Sequence, residues 1–307
     1  MPMAYQAADY VLPAGLLQAL EGAIHLRRPL LLTGEPGTGK TTLADWAAQY
    51  LHQKYQGAPF HFRPEPLRFS TKTSSQARDL FYTYDALSHF QAANLKRDGG
   101  VQIGDYLELQ ALGRAIALSQ PNPAYQKMVG DDWHDQAQGC VVLIDEIDKA
   151  PRDFTNDVLD EIDRQRFLLR ETNTELERGK DVPVVVIMTS NSEKNLPDAF
   201  LRRCAFFHIE FPAQDDPLLR TIVSKHLGAA TGATAQAREE LIGFFYDARA
   251  ASPRKKPATA ELLGWLELLE MQNFAAKNAA ERKQLQEYNL SFLVKTQEDL
   301  EAVRKLL

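Results

Sequence analysis

One phrase constrains this chain more than any other: Gly34-Glu35-Pro36-Gly37-Thr38-Gly39-Lys40-Thr41, set between the apolar run 29–33 and the helix-like stretch 42–51. Its spacing, G-x-x-x-x-G-K-[ST], is that of a phosphate-binding loop, and such a loop belongs where this one stands, after a strand and before a helix. Glycines let backbone N–H groups wrap a phosphate that a side chain would block, and the helix start behind them adds partial positive charge. The residues expected to hold a nucleotide are Gly34, Pro36, Gly37, Thr38, Gly39, Lys40, Thr41 and Thr42. Lys40 should reach the β- and γ-phosphates, and the Thr41 hydroxyl should ligate Mg2+.

Around that loop the chain alternates. Five β-branched or leucine-rich runs, 29–33, 67–70, 140–144, 184–189 and 205–211, are separated by helix-like stretches, which is how a parallel sheet covered on both faces reads. After Pro212 the strand-like runs stop. Asp215-Asp216-Pro217 reads as a helix start, with acid at the positive end and proline in the first turn, and Leu262, Leu266 and Leu269 recur at helical spacing beside Trp265. The expected fold class is therefore α/β: a P-loop NTPase αβα core with a five-stranded parallel sheet over residues 1–212, followed by a small all-α lid domain over residues 213–307. With 307 residues, 44% of them hydrophobic, the chain can bury one large core or two moderate ones. Two segments interrupt the alternation. Lys96-Arg97-Asp98-Gly99-Gly100 is a turn signal, and 166–181 is polar and flanked by Phe167-Leu168-Leu169, as a hairpin would be.

The second half of a nucleotide site follows downstream. Cys140-Val141-Val142-Leu143-Ile144 ends in Asp145-Glu146, so an apolar strand delivers two carboxylates at its C-terminal end, where ligands sit in open α/β sheets. In this Walker B arrangement Asp145 is the expected metal residue, with Thr41, and Glu146 the expected general base. The next apolar strand closes with Thr189-Ser190-Asn191, and Asn191 is the candidate to orient the lytic water or touch the γ-phosphate. Arg202 and Arg203 stand just before the last strand, where a guanidinium supplied by a neighbouring subunit could neutralise charge on the transferring phosphoryl group.

Other features limit the alternatives. The formal charge of −6 argues against broad coating of nucleic acid and favours proteins or small anions as partners. Apolar runs such as Val184-Val185-Val186-Ile187-Met188 are far short of the ~18 residues a bilayer span needs, and residues 1–9 lack a basic stretch followed by an apolar core. No membrane anchor is expected, and the cytoplasm is the expected location. Cys140 and Cys204 lie far apart among apolar neighbours and read as small buried hydrophobes; the seven histidines form no zinc pattern. Trp46 and Trp265 read as core, and Phe60-His61-Phe62 and Phe81-Tyr82-Thr83-Tyr84 as packing.

The ordered set of Gly34 to Thr41, Leu143-Ile144-Asp145-Glu146, Thr189-Ser190-Asn191 and Leu201-Arg202-Arg203 resembles an AAA+ ATPase. More narrowly, the wording from Pro29 to Thr41 and from Ile144 to Phe154 is similar to the MoxR branch, and the resemblance extends to Lys256-Pro257-Ala258-Thr259-Ala260-Glu261-Leu262-Leu263-Gly264-Trp265. It implies ATP and Mg2+, with Lys40 and Thr41 as Walker A, Asp145 and Glu146 as Walker B, Asn191 as sensor 1, and Arg202 or Arg203 as an arginine finger acting across subunits. It further implies a helix-2 insert about residues 96–105, a pre-sensor-1 hairpin about residues 167–181, a homo-oligomeric ring of six, a protein client to be remodelled and a von Willebrand factor A domain partner. Tyr10 and Val11 fall where such ATPases line the adenine pocket. At the position of the family's sensor-2 arginine stands Ala260, with Arg254, Lys255 and Lys256 nearby as substitutes. A second reading is an ATP-driven nucleic-acid motor or clamp-loader-like module, for which Lys96 and Arg97 give a footing that Asp98 and Asp105 offset. A GTP switch lacks its N-K-x-D signature here.

Overall fold

A computed structural model describes residues 7–94, 102–192 and 196–307. The chain divides into two compact units, one of Ala14–Gly34 and Lys40–His208, the other of the described residues up to Pro13 with Glu35–Gly39 and Ile209–Leu307.

Ten strands form among the described residues: β1 (Leu30–Gly34), β2 (His61–Phe62), β3 (Leu67–Ser70), β4 (Tyr82–Tyr84), β5 (Leu107–Leu109), β6 (Gln138–Asp145), β7 (Arg166–Leu169), β8 (Thr174–Glu177), β9 (Val184–Thr189) and β10 (Ala205–Ile209). The central sheet is ordered β10-β1-β9-β6, and both β2 and β3 pair with the far edge of β6. The pairs β1·β9, β9·β6, β6·β3 and β6·β2 are all parallel. Every residue of β1 and β9 is buried, as is every residue of β6 except Asp145, which is why these runs carry almost no polar side chain. All five expected strands are present. His61 and Phe62, expected only as packing, form a sixth, two residues long and too short to leave a periodic signal.

Because β1 neighbours β9 and β9 neighbours β6, the carboxyl ends of three adjacent strands, Gly34, Thr189 and Asp145, emerge side by side. The first interruption is larger than its turn signal suggests. β4 and β5 pair antiparallel around the helix Ala86–Asn94, so the excursion runs from Tyr82 to Leu109; residues 96–101 of the expected insert 96–105 lie outside the described residues. The second interruption is the antiparallel hairpin β7–β8, turned at Asn173 with φ 53°. The two meet in the core. Phe81 stacks on Phe167 with ring centroids 5.0 Å apart, and the Arg170 amide donates to the Tyr82 hydroxyl at 3.2 Å.

The helical unit holds Pro217–Leu227, Gly232–Ala251, Thr259–Met271, Ala279–Leu293 and Gln297–Arg304. Asp216 caps the first of these, accepting from the Leu218 amide at 2.8 Å with Pro217 in the first turn. Leu262, Trp265, Leu266 and Leu269 are all fully buried along one helix, each leucine contributing about 1.5–3 kcal/mol. Trp46 differs from expectation: it is half-buried and stacks on Tyr50 at the surface of its helix, centroids 4.9 Å apart. Cys140 and Cys204 are free and buried, and burial pushes both thiols up to about 12. Among the described residues no helix is long and apolar enough to cross a membrane.

Candidate active site

The strand ends carry the chemistry. β1 stops at Gly34, and Lys40, 7% exposed, folds back so that its ammonium donates to the Gly34 carbonyl at 2.8 Å. Thr41 sits immediately before the helix Thr42–Lys54, and its hydroxyl donates to Asp145 Oδ1 at 3.0 Å. The parallel register of β6 and β9, with Ile144 opposite Met188, makes Asp145 and Thr189 the next pair along. The Thr189 hydroxyl, 1% exposed, donates to Asp145 Oδ1 at 2.5 Å and accepts the Glu146 amide at 2.9 Å. One oxygen of Asp145 therefore receives two hydroxyls, from Thr41 and Thr189. An ionised acceptor makes such bonds about twice as strong as neutral ones.

Glu146 follows in a left-handed conformation, φ 57° and ψ 49°, unusual for a residue other than glycine. The bond from its amide to Thr189 holds that turn, and so aims Asp145 and Glu146 differently. The Glu146 carboxylate is half-exposed and meets the Lys149 ammonium at 2.5 Å. Bonding to Glu146 raises the Lys149 ammonium above its ordinary value.

Lys40, Thr41, Asp145 and Glu146 are thus gathered at the carboxyl ends of β1, β9 and β6. Asn191 lies just beyond β9, exposed, its amide donating to Asp148 Oδ1 at 3.3 Å. Among the described residues no hydrogen bond links its side chain to Asp145 or Glu146. The residue of Thr189-Ser190-Asn191 that touches the Asp145 carboxylate and the Glu146 backbone amide is Thr189, which sequence reading left without a role; aligning the ends of the two apolar strands would have found it. Arg202 and Arg203 are exposed at the end of the helix Asp198–Leu201. Arg203 pairs with Asp163 at 3.4 Å, whereas Arg202 has no ion-pair partner among the described residues.

The middle of the loop, Glu35–Gly39, packs within the helical unit. The Thr38 hydroxyl donates to the Glu35 carbonyl at 2.9 Å, closing a tight turn. Gly37 and Gly39 have φ of 76° and 84°, and a Cβ on either would lie 3.0 Å from a neighbour, Ala258 or Tyr10 respectively, so both positions need glycine. Pro36 is exposed and Thr42 opens the following helix. Ala260, at the start of Thr259–Met271, stands beside Gly37. Of the nearby basic residues, Arg254 turns its guanidinium to Glu298 at 3.6 Å, and the backbone amides of Arg254 and Lys255 donate to Asp299.

Residues 29–204 match the family model described as AAA domain (dynein-related subfamily). No curated protein matches the chain. Among solved structures, the chain is similar to the Escherichia coli MS115-1 HORMA:CdnC:Trip13 complex, at 17% identity over 98% of this chain and 80% of that one, with a TM-score of 0.46. It is also similar to domain III of the Thermotoga maritima replication initiation protein DnaA, at 15% identity over 95% of this chain and 98% of that one, with a TM-score of 0.44.

Proposed function

The chain belongs to the dynein-related subfamily of AAA domains, and from that premise we propose that it is a MoxR-type ATPase that hydrolyses ATP in a ring and spends the energy on a protein client. The observation that carries the chemical half is Asp145, which takes both the Thr41 and the Thr189 hydroxyls at the mouth of a phosphate loop.

The donors present suit Mg2+. It favours oxygen, keeps several waters, and is held in nucleotide sites by one or two protein oxygens together with phosphates. Thr41 and Asp145 supply that set, and among the described residues no group of three or more His, Cys, Asp or Glu gathers as a closed metal cage would. When bound, the ion neutralises charge on the β- and γ-phosphate oxygens.

The loop from Gly34 to Thr42 cradles the phosphates through its amides, and Lys40 exchanges the Gly34 carbonyl for phosphate oxygens. Glu146, once free of Lys149, takes a proton from water as the water oxygen bonds to the γ-phosphorus; the bond to the β–γ bridging oxygen breaks, releasing ADP and phosphate. Asn191 orients that water. Arg202 or Arg203 of one subunit serves the site of the next, which is why a ring is part of the reading; the number six comes from the family resemblance alone. A von Willebrand factor A domain protein is the proposed companion.

Glu146→Gln tests the chemistry. It should bind a fluorescent ATP analogue as the parent does while phosphate release falls at least a hundredfold, the scale of a lost general base. Unchanged release removes the assignment, and a Lys40→Ala variant that binds ATP normally removes the phosphate-loop reading. Light scattering with and without nucleotide tests the ring.

A further inference from the structure

Glu35 is an awkward residue for the loop that contains it. Its carboxylate stands two positions before Gly37, in a segment proposed to hold a polyphosphate, and like charges in one site repel. A compensating cation comes from far along the chain. Arg249, near the end of the helix Gly232–Ala251, is only 8% exposed, and its Nη2 donates to Glu35 Oε2 at 2.8 Å across 214 positions of sequence.

The arginine is fixed before it meets the carboxylate. Its Nη1 donates to the Pro257 carbonyl, and its guanidinium lies over the Phe211 ring, 3.5 Å from the centroid. A planar cation held by a carbonyl and a ring loses little freedom when it pairs, so its charge stays aimed at Glu35. Ala258, the residue after that carbonyl, is the one that meets Gly37. All of these residues belong to the helical unit.

We propose that Arg249 is a positioning residue for nucleotide binding: it neutralises Glu35 so that the loop can accept a polyphosphate, and it ties the loop to segment 257–260, where Ala260 replaces the arginine that the family resemblance leads one to expect. This rests on the ATP reading above. It makes a signed claim, because the harm done by removing Arg249 comes from the carboxylate left behind. Removing that carboxylate as well should undo the harm.

The test is titration of the full chain with fluorescent ATP and ADP analogues, for the parent, Arg249→Gln, Glu35→Gln, the double variant and Lys40→Ala, with melting curves taken without nucleotide. Arg249→Gln should weaken ATP about tenfold, equivalent to ~1.4 kcal/mol, and ADP, with one charge fewer, by less. The double variant should return to within about threefold of the parent, and Glu35→Gln alone should bind at least as tightly as the parent. A purely structural role for Arg249 would leave the double variant as weak as Arg249→Gln or weaker, and that result overturns the proposal. If Arg249→Gln fails to fold, Glu35→Gln still decides: a loss of ATP affinity beyond about threefold overturns it. Normal ATP binding by Lys40→Ala overturns the ATP reading and this proposal with it. Loss of binding in Lys40→Ala beside parent-like binding in Arg249→Gln overturns this proposal alone.

Discussion

Replacing Thr189 by valine keeps the β-branch that suits a strand and removes one hydroxyl, so it probes the Asp145 turn with little change in shape. Two bonds go: the donation to Asp145 at 2.5 Å and the acceptance from the Glu146 amide at 2.9 Å. A hydrogen bond to a charged group contributes about 1.5–3 kcal/mol, and a buried amide left without an acceptor costs about 1–3 kcal/mol. Asp145 keeps its bond from Thr41 and is only half-buried, so the sum is discounted to about 2–4 kcal/mol. At ~2–4 °C per kcal/mol for a domain of this size, the melting temperature should fall by roughly 4–16 °C. Catalysis should fall too, since the left-handed turn at Glu146 loses the bond that holds it and such a backbone stores about 1–3 kcal/mol ready to relax. Misplaced by about an ångström, the carboxylates should give on the order of a hundredfold lower kcat while ATP affinity stays within about threefold, because the phosphate loop is untouched. Thermal melts, fluorescent ATP titration and steady-state phosphate release measure all three, and Thr189→Ser, which keeps the hydroxyl, should restore melting and turnover together. Parent-like melting and kcat in Thr189→Val would refute the account of the turn.

Three further outcomes follow from the same geometry. Lys149→Met removes the ammonium that occupies Glu146 Oε2 and should raise phosphate release by about two- to fivefold; a fall would show that Lys149 assists the base rather than restraining it. Of the two arginines, Arg203 is engaged by Asp163 and Arg202 is not, so Arg202→Ala should abolish turnover and regain it when mixed with Glu146→Gln subunits, while Arg203→Ala should cost less; equal loss without complementation would count against a shared site. For Asp299, burial alone would raise the carboxyl, but the Thr296 hydroxyl and the Arg254 and Lys255 amides outweigh it and hold it below the usual range. A group lowered on folding contributes stability above its unfolded value, about 3.9, and loses it as pH falls toward the folded one. Urea unfolding followed by circular dichroism should therefore show stability dropping below about pH 4, with a flatter slope in Asp299→Asn.

What could be read from the residues was what is written contiguously. Three of the five expected strands, β1, β6 and β9, announce themselves because they are buried on both faces and so run apolar almost without interruption, whereas β3 and β10 are partly exposed and shorter in signal. The phosphate loop is a local backbone shape whose glycines stand a few residues apart in one short segment. β4 and β5 are three residues each with a helix between them, only one and a half periods of a two-residue repeat and too little to stand out. Trp46 misleads for a related reason: its helix buries Leu43, Ala44, Ala47, Ala48 and Leu51, and a tryptophan at the border of that stripe looks like core until the neighbouring element is known.

The interactions that tune the proposed chemistry are the ones sequence spacing hides, and they are hidden to different degrees. Thr189 meets Asp145 through strand register: β6 and β9 run parallel with Cys140 opposite Val184, so counting equal steps along both apolar runs pairs the two residues without any coordinates. The only missing premise was which strands are neighbours. Arg249 has no such route. It lies on a helix that carries other charged residues, and nothing in its spacing sets it apart from Arg238, which spends its guanidinium on Glu270 and on the Gly228 and Leu227 carbonyls. Glu35 was a clue that could have been used, since a carboxylate inside an anion-binding loop calls for a cation. Which cation answers it is fixed by the packing of Phe211 and Pro257 around Arg249. Chemistry thus named the need, and only tertiary structure could name the residue.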